Sequence, residues 1–378
     1  MRLVFYSNYL NIHQVYLMDA FHELLGDDFR FVATLPRDEK ELKGGTDYSS
    51  RPYCILAGES DGANEEALRL AVETGTCVFG ACSQTYAIAR ARNNPQGLSF
   101  EMGERWLKRG WVNVFSPNLL KWYVNYICYY RKSNFHKLCM SAFAAHDDER
   151  LFAYRGRHYK WGYFTQVEDF GVETPKGVST PGRATILWCA RFLVLKHPEL
   201  AVKLAARLKE EHYDFVIDMY GEGVELEKTR RLCEGLDVSD VVSFKGNVPN
   251  EDILHAMRQH EIFLFTSDRY EGWGAVANES MANGCVLVAS DEIGSTHYLV
   301  KHRETGMIFR SCDLNSLYEQ VKYLLDNPNL RKSMSTAGRE SMVKLWSPQN
   351  AAKSLLQLIE NLQVGRETSI VEGPCSIA

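Results

Sequence analysis

Short runs rich in β-branched and aromatic residues alternate with helix-period stretches along most of this chain, and this alternation constrains the fold more than any other feature. LVFYS from Leu3 precedes HQVYLMDAFHELLG, which precedes FRFVATL; NEEALRLAVETG precedes CVFGA. Further on, ILWCA, FVIDMYG, VVSFKG, IFLFTS and CVLVAS each lead into a helix-like segment. Parallel strands cannot be joined by a tight turn, so a strand-then-helix repeat requires parallel sheets with helical crossovers.

The alternation breaks once, at Val167–Gly182 (VEDFGVETPKGVSTPG), where glycine, proline and charge cluster without periodicity. At 378 residues the chain also exceeds what one core usually supports. The expected organisation is a Rossmann-like domain over 1–166, a linker over 167–182 and a second Rossmann-like domain over 183–346. The helix-like run 348–362 is expected to pack back on the first domain, and 363–378 to form a disordered tail. The fold class expected is α/β, with two doubly wound domains facing a central cleft. In such sheets ligands bind beyond the carboxyl ends of the strands, where the strand order reverses.

A net charge of −5 gives no global attraction to nucleic acid, and no nucleic-acid partner is expected. The ten cysteines are scattered, several lie inside strand-like runs, and none forms a Cys-x-x-Cys pair. That usage fits reduced thiols in a cytoplasmic protein better than a disulfide framework or a zinc site. The start MRLVFYSNYL has too short an apolar run for a signal peptide, and no segment is apolar for the length of a bilayer. One stretch departs from the average composition. From Arg105 to His146 there is no acid, while cations from Arg105 to Lys137 are interleaved with Trp106, Trp111, Phe115, Trp122, Tyr123, Tyr126, Tyr129 and Tyr130. This suits either a membrane–water interface or a buried aromatic helix with a solvated basic rim.

Common catalytic motifs are missing. The turn after the first strand, SNYLNIHQ, has no glycine, which excludes the dinucleotide fingerprint there; G-x-x-x-x-G-K-[ST], G-x-S-x-G and H-E-x-x-H do not occur. The absence of any Asp-x-Asp removes the usual carboxylate pair for a metal carrying a diphosphate, and no metal or other cofactor is expected. What stands out is YEGWGAVANESMANGCVLVAS from Tyr270, where Glu271 and Glu279 lie eight positions apart in an otherwise apolar run. IFLFTS reads as a buried strand and AVANESMANG as a helix ending at Gly284, so Glu271 falls in the connecting loop and Glu279 inside the helix. Gly272 and Gly274 allow close backbone approach to a ligand, and the amides at the helix start suit a phosphate.

FTSDRYEGWGAVANESMANGCVLVASDEIGS closely resembles the signature of the retaining glycosyltransferases of family 4, the E-x7-E motif on a GT-B fold. ILWCARFLVLKHPEL, FVIDMYGEG and VVSFKGNVPNEDILHAM match that family in type and order, with Ala190 where a glycine is usual. The N-terminal half is less similar. KLCMSAFAAHDDERLFAYRGR followed by KWGYF resembles the family's last strand and helix before the linker, whereas SNYLNIHQ replaces a glycine-rich first loop. The resemblance implies that Arg191 and Lys196 bind the donor diphosphate and offset charge on the leaving group. It implies that Glu271 bonds the transferred sugar and Glu279 the ribose, with Gly272, Trp273, Gly274, Ala275 and Val276 holding sugar and phosphate through backbone amides. Tyr220, Gly221, Gly223, Asn247 and Val248 would border the nucleoside.

Each position also has an ordinary structural role. Glu271 can cap a helix, Arg191 and Lys196 can be solvated loop cations, and the nucleoside-side residues can be turn residues. On the acceptor side, Asn11, His13, Ser83, Gln84 and Ser141 are candidates because they follow strand ends, although Asn11 and His13 can equally cap the first helix. The expected activity is retaining, metal-independent transfer of a hexose from a nucleoside-diphosphate sugar, UDP-linked rather than GDP-linked, to a hydroxyl of a glycan or lipid-linked acceptor. Polysaccharide or cell-envelope synthesis at the inner face of the membrane would be its setting, with peripheral contact through 105–137. A nucleotide-sugar epimerase or hydrolase of the same fold, or a non-catalytic nucleotide-sugar-binding subunit, are the alternatives.

Overall fold

The computed structural model describes residues 1–36, 47–168 and 183–378. These residues form two compact units, Met1–Thr165 with Ser347–Ala378, and Gln166–Trp346. Apart from Val167 and Glu168, the expected linker lies outside the described residues.

The first unit is built on seven parallel strands: β1 (Leu3–Ser7), β2 (Phe29–Ala33), β3 (Cys54–Leu56), β4 (Thr76–Phe79), β5 (Leu98–Gly103), β6 (Phe135–Cys139) and β7 (His158–Lys160). Their order is β3-β2-β1-β4-β5-β6-β7, so the direction of winding reverses between β1 and β4. β1 and β4 are buried along their whole length, as expected of strands covered by helices on both faces. Val4, Tyr6, Phe79, Trp122 and Phe135 belong to one core cluster beneath those helices.

The helix Pro348–Gln363 packs on the helix Ile12–Leu25 and so belongs to this unit. The tail beyond it corrects the expectation of disorder. Lys160 N–H donates to Ser376 O (2.8 Å), Cys375 N–H donates to Lys160 O (2.8 Å), and Cys375 is fully buried. The polar composition of 363–372 suggested a free tail, but PCSIA at its end supplies an edge partner for β7 and a buried thiol.

The second unit has six parallel strands: β8 (Ala184–Cys189), β9 (Phe215–Tyr220), β10 (Val242–Gly246), β11 (Ile262–Phe265), β12 (Val286–Ser290) and β13 (Gly306–Phe309). The order β10-β9-β8-β11-β12-β13 reverses between β8 and β11. Trp188, Ile217, Leu264, Val288 and Phe309 are fully covered and share one core. The loops that leave the carboxyl ends of β8 and β11 therefore stand side by side at the switch point, one carrying Lys196 and the other Glu271.

Candidate donor and acceptor sites

In the second unit the chain after β8 runs through Ala190–Lys196 into the helix Pro198–Glu210, and the chain after β11 runs through Thr266–Ala275 into the helix Val276–Ala282. Side chains and backbone tie these loops together. Trp188 Nε1 donates to Thr266 Oγ1 (2.9 Å), Thr266 Oγ1 donates to Lys196 O (2.6 Å), and Asp268 N–H donates to Leu195 O (3.0 Å). His197 links them again. Its Nδ1 faces Glu199 Oε1 at 2.9 Å and its Nε2 faces Asp268 Oδ2 at 3.2 Å. The Glu199 carboxylate first, and Asp268 after it, hold the imidazole above its ordinary pKa. His197 also adopts left-handed φ (48°), an uncommon conformation for a non-glycine residue.

Lys196 and Glu271 meet on this framework. The Lys196 ammonium is in direct contact with Glu271 Oε2, both side chains are mostly covered, and Ser267 Oγ donates to the same carboxylate oxygen (3.1 Å). Arg191 lies on the same loop, exposed and without an ion pair among the described residues. Beyond Glu271, the backbone N–H groups from Gly272 to Val276 donate to nothing in the described residues. Gly274 is required by the protein itself: its φ is 76°, and a Cβ there would lie 2.2 Å from Phe265 Cζ. Trp273 can contribute only its backbone to a ligand. Its side chain is buried, with Nε1 bonded to Asn278 Oδ1 (2.8 Å) and the ring packed on Tyr298 and Trp346.

Glu279 sits one turn into its helix, half-buried, and its carboxylate has no hydrogen-bond or ion-pair partner among the described residues. Burial alone pushes its carboxyl up to about 7. The Cys189 thiol at the end of β8 is pushed up to about 12, by burial first and then by the Glu279 charge nearby. The helix ends as its sequence suggested. Asn283 is the capping residue, Gly284 follows at φ 83°, and Cys285 N–H returns to Ser280 O (2.9 Å).

The other proposed donor residues cluster at the ends of β9 and β10. Gly221 N–H donates to Gly246 O (2.8 Å) and Phe192 N–H donates to Glu222 O (2.8 Å), which joins this loop to the one carrying Arg191. The glycines have a packing reason here, since a Cβ would lie 2.0 Å from Ala190 O at Gly221 and 2.4 Å from Phe192 O at Gly223. Tyr220 and Val248 are half-buried and Asn247 is exposed.

In the first unit a cavity of about 600 Å³ opens at the carboxyl ends of β1, β4 and β5. Asn11, His13, Ser83 and Gln84 all line it. Asn11 and Ser83 are also helix caps, with Asn11 Oδ1 accepting from His13 N–H (3.0 Å) and Ser83 Oγ accepting from Thr85 N–H (3.3 Å). The expectation for Ser141 needs correcting. It is fully buried after β6, its hydroxyl accepts from Phe143 N–H (3.3 Å), and it is not part of the cavity wall. Gln14 and Glu101, which were not among the candidates, line the same cavity, as does Lys137, expected at a membrane-facing stretch but buried. A signal was present for two of them: Glu101 and Lys137 are charged residues within strand-length runs, where a buried charge needs a partner.

Residues 172–341 match the family described as Glycosyl transferases group 1. The uncharacterized glycosyltransferase YqgM of Bacillus subtilis is 28% identical over 172 residues, covering 46% of this chain and 47% of that protein. A GDP-mannose-dependent monoacylated α-(1-6)-phosphatidylinositol monomannoside mannosyltransferase of Corynebacterium glutamicum is 25% identical over 178 residues, 46% of each chain. The chain thus spans about half the length of these curated relatives. Among solved structures, Anabaena HepE in complex with UDP superposes with a TM-score of 0.69 at 13% identity, over 96% of this chain and 100% of that one. The two parallel-sheet units are therefore the two Rossmann-like domains of a GT-B fold.

Proposed function

We propose that this protein is a retaining, metal-independent hexosyltransferase of family 4 that moves a sugar from a UDP-sugar to a hydroxyl of a glycan or lipid-linked acceptor. The observation that carries the reading is the Lys196–Glu271 pair at the β8/β11 switch point, beside five consecutive amides that lack an acceptor among the described residues. Those amides, with Lys196 and the exposed Arg191, form a cationic edge for a diphosphate. Lys196 and Arg191 stabilise the leaving group as the bond from the sugar C1 to the diphosphate breaks. Glu271 accepts hydrogen bonds from the transferred sugar, and Glu279 takes the ribose hydroxyls. The acceptor hydroxyl oxygen bonds to C1 on the face the diphosphate leaves, and its proton passes to the departing phosphate oxygen. The work of the protein is positioning and preorganised charge. Tyr220, Gly221, Gly223, Asn247 and Val248 border the nucleoside, and the cavity of the N-terminal unit receives the acceptor.

Cell-envelope or polysaccharide synthesis is supported by the glycolipid substrate in the name of the Corynebacterium relative, and a cytoplasmic setting by the ten free thiols. Among the described residues no helix is long and apolar enough to cross a membrane. The 105–137 stretch supplies peripheral contact in this reading. Trp122, Tyr126 and Tyr130 turn into the core, while Trp111, Val112, Phe115, Leu120 and Val124 stay exposed beside Arg109 and Lys121.

The test is transfer from UDP-glucose, UDP-galactose, UDP-N-acetylglucosamine and GDP-mannose to envelope glycolipid extracts, with the product anomer read by NMR. A product that keeps the donor's anomeric configuration supports the reading. An inverted product, or donor consumed without acceptor-dependent product, refutes it.

A further inference from the structure

We infer that the cavity of the N-terminal unit binds an uncharged sugar ring, and that Gln14, Trp106, Tyr130 and Lys137 read its hydroxyls. Four buried polar atoms on its wall lack a hydrogen bond among the described residues: Gln14 Oε1, Trp106 Nε1, Tyr130 Oη and Lys137 Nζ. Buried polar atoms in folded proteins are nearly always satisfied, so four on one cavity wall call for a ligand. Gln14 is 8% exposed, and its Nε2 donates to Ser7 Oγ (3.0 Å), which leaves Oε1 as the free acceptor. Lys137 is 1% exposed; its ammonium lies 3.3 Å from Glu101 Oε1, an ion pair without the alignment of a hydrogen bond. Glu101 is already engaged, because it accepts from Trp122 Nε1 (2.7 Å) and from the Tyr154 hydroxyl. Tyr130 is 2% exposed, and burial first, then the Glu101 and Cys82 charges, raise its pKa.

The set is three donors and one acceptor next to the Trp106 and Trp122 indoles, whose ring centroids are 4.9 Å apart. Sugar hydroxyls both donate and accept, and the C–H face of a pyranose lies against an aromatic ring. The volume is in the range of small-molecule sites, roughly 300 to 1,000 Å³. Charge decides against an anionic group. Each cation on the wall has its own carboxylate: Arg105 with Asp147 (3.1 Å), Lys108 with Glu104 (2.7 Å) and Lys137 with Glu101 (3.3 Å). A phosphate or uronate would gain no uncompensated cation and would meet Glu101 and Glu104.

The identification of this ring as the acceptor's own sugar rests on the function proposed above; the binding site itself does not. The test is saturation-transfer NMR on the full chain with methyl α-glucopyranoside, methyl α-mannopyranoside, methyl α-galactopyranoside, glucuronic acid and glycerol 3-phosphate, with UDP read in parallel samples. At least one neutral glycoside is expected to bind, and Tyr130→Phe to weaken it roughly two- to tenfold, the worth of one hydrogen bond. The melting temperature is expected to be unchanged, because the hydroxyl bonds nothing among the described residues. Trp106→Phe is expected to act likewise. No binding by any neutral glycoside, tighter binding of a charged compound, or wild-type affinity in both variants would overturn the inference. Loss of UDP binding with glycoside binding retained supports this inference and counts only against the donor-site reading.

Discussion

Glu279 couples stability to pH in a direction that can be worked out from its surroundings. Its carboxyl is ordinary at 4.5 in the unfolded chain and is pushed up to about 7 by burial. The folded state therefore holds the proton more tightly. Its contribution to stability is full below 4.5 and is lost as pH rises through about 7. A shift of this size corresponds to about 3 kcal/mol, and the carboxylate has no partner among the described residues to offset it. Glu279→Gln removes the titration. The melting temperature of the variant relative to wild type should rise from pH 5 to pH 8, by roughly 6–10 °C for a unit of this size. Donor binding should show the opposite cost. If the ionised carboxylate takes ribose hydroxyls, a UDP-sugar should bind wild type about tenfold more weakly at pH 6 than at pH 8, since the ionised fraction drops by about that factor. The Gln variant should bind weakly and with little dependence on pH. Scanning calorimetry and titration calorimetry across pH 5–8 provide both readouts. A melting difference that stays flat with pH would refute the reasoning.

Other consequences follow from the same geometry. His197→Gly keeps the left-handed backbone but removes the link to Glu199 and Asp268, so amide exchange at Asp268–Glu271 should quicken in the variant. In wild type that link is complete below the ordinary histidine pKa and weakens as pH rises through the raised value, so exchange there should show an added acceleration over that window, absent from the variant. Deleting 373–378 removes the buried Cys375 and three backbone bonds to β7, and should lower the melting temperature by about 5 °C. Wild type should sediment with phosphatidylglycerol vesicles, and the double change Trp111→Ser with Phe115→Ser should reduce this by about tenfold or more, given the apolar area withdrawn. Equal sedimentation would sink the membrane reading.

The C-terminal unit was more legible in the sequence than the N-terminal one. Its strands β8, β11 and β12 are apolar runs, and Glu271 was read into the loop after IFLFTS; that this loop stands beside the one carrying Lys196 follows from the strand order, which the alternation does not give. Where local pattern and buried charge conflict, legibility fails. β5 (LSFEMG) carries Glu101, and only Trp122, Tyr154 and Lys137, brought in from far along the chain, explain a carboxylate inside a strand. The short β3 and β7 have too few residues to show a period. Gly274 was read for ligand approach and Gly221 and Gly223 as bordering a nucleoside or as turn residues, yet all three are required by contacts with the protein's own backbone or Phe265. Trp273 was expected to offer only a backbone amide, and the sequence did not show that its side chain belongs to the core.

The central claim is that Lys196 and Glu271 hold a nucleoside-diphosphate sugar. Titration calorimetry of wild type, Lys196→Ala and Glu271→Gln with a panel of UDP- and GDP-sugars, on samples shown by melting curves to be folded, tests it most directly. The account predicts saturable binding of a UDP-sugar to wild type, at least tenfold weaker binding in Lys196→Ala, and turnover reduced about 100- to 1,000-fold in both variants. Folded variants that bind and turn over the same donor as wild type does would contradict it.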